Sequence, residues 1–224
     1  MALGFQEIQF DYIRYPSDGD LKQCRYSYAH HTSSSASRNL EHFLEEASRR
    51  IKPLGANISI DVFGLTPSVE NDMGIGQKIV QMTACVDFVS PMVYPSHYAL
   101  GEYGIAEPNR EPYKVVHRTM SDAKRRLGED FTRLRPYLQD FSLGVHYGPK
   151  EVRAQILACE QLGVKEWLLW NPNSQFTIAA LKSKDGVLDE AGKVPASMQI
   201  PLEEKSHHRV STGTSFQSME KRVK

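Results

Sequence analysis

Residues 5–15 read FQEIQFDYIRY, and this stretch decides the fold. Ile8, Phe10 and Tyr12 alternate with the polar Gln9 and Asp11, and a period of two predicts a β-strand. An unpaired charge inside a largely apolar strand would be costly if it were buried. We therefore expect Asp11 to be either a functional carboxylate or the partner of a neighbouring polar side chain.

Four further segments of the chain resemble this strand. They cover residues 57–63, 86–94, 134–141 and 164–170. Between them, apolar residues that recur at steps of three and four predict helices near residues 40–51, 76–84, 113–127 and 149–162. Strands that alternate with helices favour a parallel sheet with helical crossovers, which is an α/β fold.

Two polar stretches interrupt or follow this alternation. Residues 16–37, which include a serine-rich run at 33–37, predict a long loop, and loops of this length often carry function. From residue 181 onward the sequence becomes polar and rich in Ser and Thr, which predicts a weakly structured tail over 181–224. The predicted domain therefore covers residues 1–180.

The composition excludes several classes of protein. Lys and Arg together number 27, as do Asp and Glu, so no overall charge attracts the chain to nucleic acid or to an anionic membrane. The three cysteines are widely spaced and predict neither a disulfide framework nor a zinc site. The chain contains no apolar run of membrane-spanning length and no export signal at its start. We therefore expect the protein to recognise its ligand through a local site and not through its overall charge.

The predicted strand ends carry the residues that suggest a chemistry. Parallel strands place functional groups at their carboxyl ends. Three carboxylates lie there, and cleavage of a glycosidic bond needs two carboxyl groups, so Asp11 and Asp61 are the predicted catalytic residues. Aromatic rings and planar hydrogen-bonding groups suit a sugar. The predicted substrate-binding residues are Tyr12, Arg14, Tyr94, His97, Gln139, Asp140, Trp170 and Asn171.

Structural roles remain open for several of these residues. Asp61 and Asp140 could cap a helix or hold a loop, and Tyr12 or Arg14 could pair with Asp11. His97 could be a hydrogen-bonded structural histidine. A metal-dependent hydrolase that uses His30, His31 or His97 is a minor alternative, because these histidines are predicted in loops. We expect neither a metal nor a cofactor.

Five motifs occur in an order that resembles a known family. They are FDYIRYPSDG at 10–19, DVFG at 61–64, PMVYPSHY at 91–98, LQDF at 138–141 and WLLWNP at 167–172. In this order they resemble a family of bacterial glycoside hydrolases known as domain of unknown function 4015. The resemblance runs from about residue 5 to residue 176.

The resemblance implies a (β/α)8 TIM barrel that acts on a polysaccharide. It also implies that the strand with Asp11 is the fourth of the barrel, so that this chain holds strands 4 to 8 of a partial barrel. We accordingly expect a fragment or a barrel that is completed by association with another chain. The family resemblance suggests an exported or cell-envelope protein. An inactive, carbohydrate-binding barrel fragment is the alternative function.

Overall fold

The computed structural model describes residues 3–27 and 31–199. These residues form a sheet in which each strand lies parallel to the one before it in the chain. This arrangement is that of consecutive strands in a (β/α)8 barrel, and it confirms the predicted partial TIM barrel. The strands, in the order of both chain and sheet, are β1 (Glu7–Phe10), β2 (Asn57–Phe63), β3 (Phe88–Val93), β4 (Tyr137–Gln139) and β5 (Leu168–Trp170).

One α-helix follows each of the first four strands. The helices pack on the outer face of the sheet and supply the crossover connections that parallel strands require. None of the helices in residues 3–27 and 31–199 combines the length and the apolar character needed to cross a membrane. The helices are α1 (Ser33–Ile51), α2 (Ile79–Cys85), α3 (Pro112–Leu127) and α4 (Pro149–Leu162).

Helix α1 begins earlier than its apolar stripe predicts. The serine-rich run 33–37, predicted as loop, forms its first turn. Thr32 caps the helix by accepting a hydrogen bond from the N–H of Ser35, whose hydroxyl accepts one from the N–H of Thr32. This capping box satisfies backbone donors that would otherwise lack partners, which explains why polar residues start the helix here.

The two faces of the sheet differ sharply in character. Ile58, Ile60 and Val62 of β2 point towards the helices and are fully buried. In β1 the ring of Phe10 contacts Phe43 of α1, with ring centroids 5.4 Å apart. Because side chains alternate along a strand, the neighbours of these residues lie on the opposite, concave face, which is largely polar.

An arginine at the base of the concave face joins strands that are not neighbours. Arg135, just before β4, forms a salt bridge with Glu7 of β1 at 2.8 Å and another with Glu166, just before β5, at 2.5 Å. Its guanidinium also lies over the ring of Phe88. These contacts reach from the first strand to the last two, which requires the sheet to curve as part of a barrel.

The segment 181–199, which was predicted as part of the tail, is described by the structure. It contains short 3-10 turns at Glu190–Gly192 and Ala196–Met198. Val194 and Met198 pack against the hydrophobic core. Residues 200–224 of the predicted tail lie outside the described residues.

Candidate active site

Two carboxylates meet at the carboxyl ends of β1 and β2. Phe10 pairs with Ile60 in the sheet, so the next residues, Asp11 and Asp61, stand at the same height on adjacent strands. Both belong to the concave face. Asp61 is 8% exposed, whereas Asp11 is exposed at the mouth. The structure therefore brings together the two residues that were predicted to be catalytic.

The environment of Asp61 favours its protonated form. Burial is the main cause, followed by the negative charge of Asp11 and a side-chain hydrogen bond to Asp11, and together they raise the pKa of Asp61 to about 7. Asp61 Oδ1 has no hydrogen-bond partner among the described residues. A proton on Asp61 removes the repulsion that two charged carboxylates would exert on each other.

The backbone at Tyr12 is shaped around this pair. Tyr12 has a φ of +55°, in the left-handed region that side chains other than glycine rarely adopt. Its N–H donates a hydrogen bond to Asp11 Oδ1 at 2.7 Å. The same N–H also lowers the pKa of Asp61 by hydrogen bonding, but burial raises that pKa by more. Strained backbone of this kind is concentrated at functional sites.

Arg14 lies at the same end of β1 and β2. Its guanidinium is 5.1 Å from the centroid of the Tyr12 ring and 5.1 Å from that of Phe63. It also donates a hydrogen bond to the hydroxyl of Ser17 at 3.1 Å. The guanidinium is thus held against two aromatic rings near the carboxyl ends of β1 and β2, a geometry that stabilises a cation.

Aromatic side chains from three further strands line the cleft. Tyr94, at the end of β3, and Tyr137 of β4 have raised pKa values, mainly through burial, and the negative charges of both aspartates contribute to the rise. Trp170 of β5 is 47% exposed, and its ring meets that of Tyr137 edge to face at 6.2 Å. The exposed indole offers an apolar surface near the carboxyl pair.

Tyr137 was not among the predicted site residues. A signal for it exists in the sequence, because it stands two positions before Gln139 and therefore shares its face of a strand. The proline at 136 weakened the strand pattern at this point. The Tyr137 hydroxyl donates a hydrogen bond to Gln9 Oε1 of β1 at 3.4 Å across the concave face.

Gln139 is buried and its side chain binds backbone groups. Its Oε1 accepts a hydrogen bond from the N–H of Ser96 at 3.0 Å, and its Nε2 donates one to the carbonyl of Phe141 at 2.9 Å. The residue thereby fixes the loop after β3 to the end of β4. A direct contact between Gln139 and a sugar stays a prediction.

Asp140 and Asn171 are also occupied by local hydrogen bonds. The Asp140 carboxylate accepts bonds from the Thr177 N–H at 2.8 Å and from the Thr177 hydroxyl at 2.6 Å. The Asn171 amide donates to the carbonyl of Asp140, and its Oδ1 accepts from the N–H of Asn173 at 2.8 Å. Both residues shape the loop after β5, so the loop-holding role that was open for Asp140 is present.

His97 lies in a short turn behind Tyr94. Its Nδ1 is 2.9 Å from the hydroxyl of Ser96, and its ring packs edge to face against Tyr94 and Phe141. Burial lowers the pKa of His97 to about 4, which keeps the ring neutral at pH 7. These contacts support the structural role that was open for this residue.

The possible metal ligands of the described chain gather away from the strand ends. Within residues 3–27 and 31–199, the one group of three such side chains is Glu41, Glu45 and Cys85, on α1 and α2. His31 lies in a loop among aromatic rings, and His30 lies outside the described residues.

Comparison with known proteins identifies relatives of this chain. A family model described as "Putative glycosyl hydrolase domain" (DUF4015) matches residues 1–176. No match was found among curated proteins.

Solved structures match this chain at low sequence identity. The spore cortex-lytic enzyme SleL of Bacillus cereus is 13% identical with a TM-score of 0.53, and that of Bacillus megaterium is 10% identical with a TM-score of 0.52. Each match covers 79% of this chain and 48% of the enzyme, so the chain spans about half the length of either. The PgaB (BpsB) glycoside hydrolase domain of Bordetella bronchiseptica is 17% identical, with a TM-score of 0.49 and coverage of 62% of this chain and 38% of that one.

Proposed function

The chain belongs to the DUF4015 family of glycosyl hydrolase domains, and we propose that it hydrolyses glycosidic bonds of a polysaccharide with Asp11 and Asp61 as its catalytic carboxyl groups. The observation that carries this proposal is that Asp11 and Asp61 stand side by side at the ends of paired strands, where burial and the charge of Asp11 raise the pKa of Asp61 to about 7. A general acid works best when its pKa lies near the working pH, because it then carries a proton and still releases it readily.

The spacing of the pair constrains how it acts. Carboxyl groups that flank a glycosidic bond are about 5 to 5.5 Å apart in retaining enzymes and about 6.5 to 9.5 Å apart in inverting ones. The adjacent strands that carry Asp11 and Asp61 lie about 4.8 Å apart, which is shorter than either range. We infer that Asp11 and Asp61 act from one side of the sugar as a single unit that holds one proton.

The reaction then follows from the charge of this unit. Asp61 gives the shared proton to the leaving oxygen, and the pair becomes fully anionic as positive charge develops on the sugar ring. The water that completes hydrolysis returns a proton to the pair. Trp170 and Tyr12 present exposed rings on which the sugar stacks, and the Arg14 guanidinium donates to its hydroxyls.

Release of reducing ends from soluble polysaccharides tests this function. Asp61→Asn and Asp11→Asn should each lower the rate by at least about 100-fold, a typical contribution of general acid–base catalysis. Asp185→Asn, in an exposed turn, is the matched control and should keep full activity. Full activity of the Asp11 or Asp61 variant would refute the assignment, and binding by the unmodified chain without hydrolysis would select the inactive alternative.

A further inference from the structure

The loop between β1 and α1 holds three packed rings. Tyr26 and His31 stack face to face, with centroids 4.1 Å apart and planes inclined by 25°. Tyr15 lies 4.6 Å from the His31 ring and meets Tyr26 edge to face at 5.5 Å. We call these three side chains the aromatic platform.

The base of the aromatic platform is firmly anchored. The N–H of Tyr15 donates to the carbonyl of Ile75 at 2.8 Å, and its hydroxyl accepts from Asn39 Nδ2 at 2.9 Å. Its ring packs closely on Gly76, where an added Cβ would lie only 3.2 Å from Tyr15 Cδ2. The proposed catalytic pair uses none of these contacts.

The outer ring of the aromatic platform faces solvent. Tyr26 is 38% exposed, although its stacking on His31 already buries one face of the ring. A large exposed ring on a rigid support loses little conformational freedom when a ligand covers it, which is why such rings are frequent at binding sites. A pyranose presents a flat face of C–H groups that suits this surface.

The aromatic platform lies at the same end of the sheet as the proposed catalytic pair, because Tyr15 hydrogen-bonds to Ile75 in the connection that follows β2. Tyr15 is four residues after Asp11, so the two lie within about 14 Å even if the chain between them is fully extended. Arg25, an exposed cation that precedes Tyr26 in the chain, donates hydrogen bonds to the carbonyls of Lys22 and Cys24. Its guanidinium is thus engaged by the loop itself, and stacking on the Tyr26 ring requires no charge on the ligand.

We propose that the aromatic platform is an accessory sugar-binding site, on which Tyr26 stacks against a ring of the polysaccharide outside the bond that is cleaved. The proposal rests on the proposed function for the class of its ligand. It predicts that long chains bind more tightly than fragments that occupy only the catalytic cleft. Tyr15 and His31 act as positioning residues that hold Tyr26.

Electrophoresis in native gels that contain laminarin, hydroxyethyl cellulose or glycol chitin tests this site. All variants carry Asp61→Asn, so that the polymer stays intact. Retardation by at least one polymer is expected, and both Tyr26→Ala and Tyr26→Leu should weaken the apparent Kd at least fivefold. Leucine keeps the packing against His31 and separates loss of the ring from loss of folding. Phe5→Ala, which removes an exposed ring just before β1 at the other end of the sheet, should change nothing.

The outcomes separate this inference from the proposed function. The accessory-site proposal would be overturned if none of the three polymers retarded the protein, or if the Tyr26 variants and the parent were retarded equally. If the platform binds while the unmodified chain releases no reducing ends, the hydrolase proposal alone fails. If hydrolysis occurs and the Tyr26 variants bind normally, the inference alone fails.

Discussion

Replacement of Asp61 by asparagine should stabilise the protein at high pH. The pKa of Asp61 is raised from 3.8 to about 7 in the folded chain. The folded state therefore holds this proton more tightly than the unfolded state does, and the contribution to stability is present below about pH 4 and lost as the pH rises through 7. Asparagine carries no charge, so the Asp61→Asn variant escapes this loss.

The size of the effect follows from the shift. Each unit of change in a pKa corresponds to about 1.4 kcal/mol, so the full rise in the pKa of Asp61 corresponds to about 4 kcal/mol. Because the carboxyl pair lies at an open mouth where solvent screens charge, we expect about half of this, about 2 kcal/mol. The free energy of unfolding of Asp61→Asn should thus exceed that of the parent by about 2 kcal/mol at pH 8 and by much less at pH 4.

Urea denaturation at pH 4 and pH 8 measures this difference. Asp11→Asn is the informative companion, because it removes the neighbouring charge and the hydrogen bond that help raise the pKa of Asp61. The pH dependence of stability should therefore shrink in that variant. Suppose instead that the free energies of unfolding of Asp61→Asn and the parent differ by the same amount at pH 4 and pH 8. That result would show that Asp61 ionises in the folded chain without loss of stability, and the reasoning would be wrong.

Two further substitutions test the fold that carries the site. Gly64→Ala should destabilise the chain by about 3 kcal/mol, because the added Cβ would lie 2.3 Å from the carbonyl oxygen of Met92. Urea denaturation at pH 7 measures this loss. Unchanged stability would contradict the close approach of the two backbones. Arg135→Gln should lower the free energy of unfolding by about 2 kcal/mol, because it leaves Glu7 without its charged partner. Arg49→Gln, the control at an exposed ion pair, should lower it by less. Equal losses in the two variants would argue against the bridge across the concave face.

Much of the fold could be predicted from the sequence. The alternation of strand and helix patterns predicted the parallel sheet, and the proline and glycine at the two ends of α4 fixed its bounds at Pro149 and Leu162. Strand β2 has the predicted bounds, whereas the other four strands are shorter than predicted, with β1 ending at Phe10. Its apolar pattern continues past that point, but the left-handed backbone at Tyr12 leaves the strand, and hydrophobic periodicity contains no signal for such a turn.

The sequence located the carboxylates of the candidate site but did not reveal that they lie next to each other. Position at the strand ends was enough to select Asp11 and Asp61. Their contact depends on the register between β1 and β2, which is set by packing against the helices. Strand-end position also selected Gln139 and Asp140, whose side chains bind backbone and loop groups. Residue type alone does not distinguish a group that faces the cleft from one that holds a loop.

The pH dependence of polysaccharide hydrolysis tests the central claim most directly. If the proton shared by Asp11 and Asp61 drives the reaction, the rate of reducing-end release should fall about tenfold for each pH unit above 7, because the pKa of Asp61 is about 7. A rate that stays constant to pH 9, or that already falls above pH 4 as for an ordinary carboxyl group, would contradict the account.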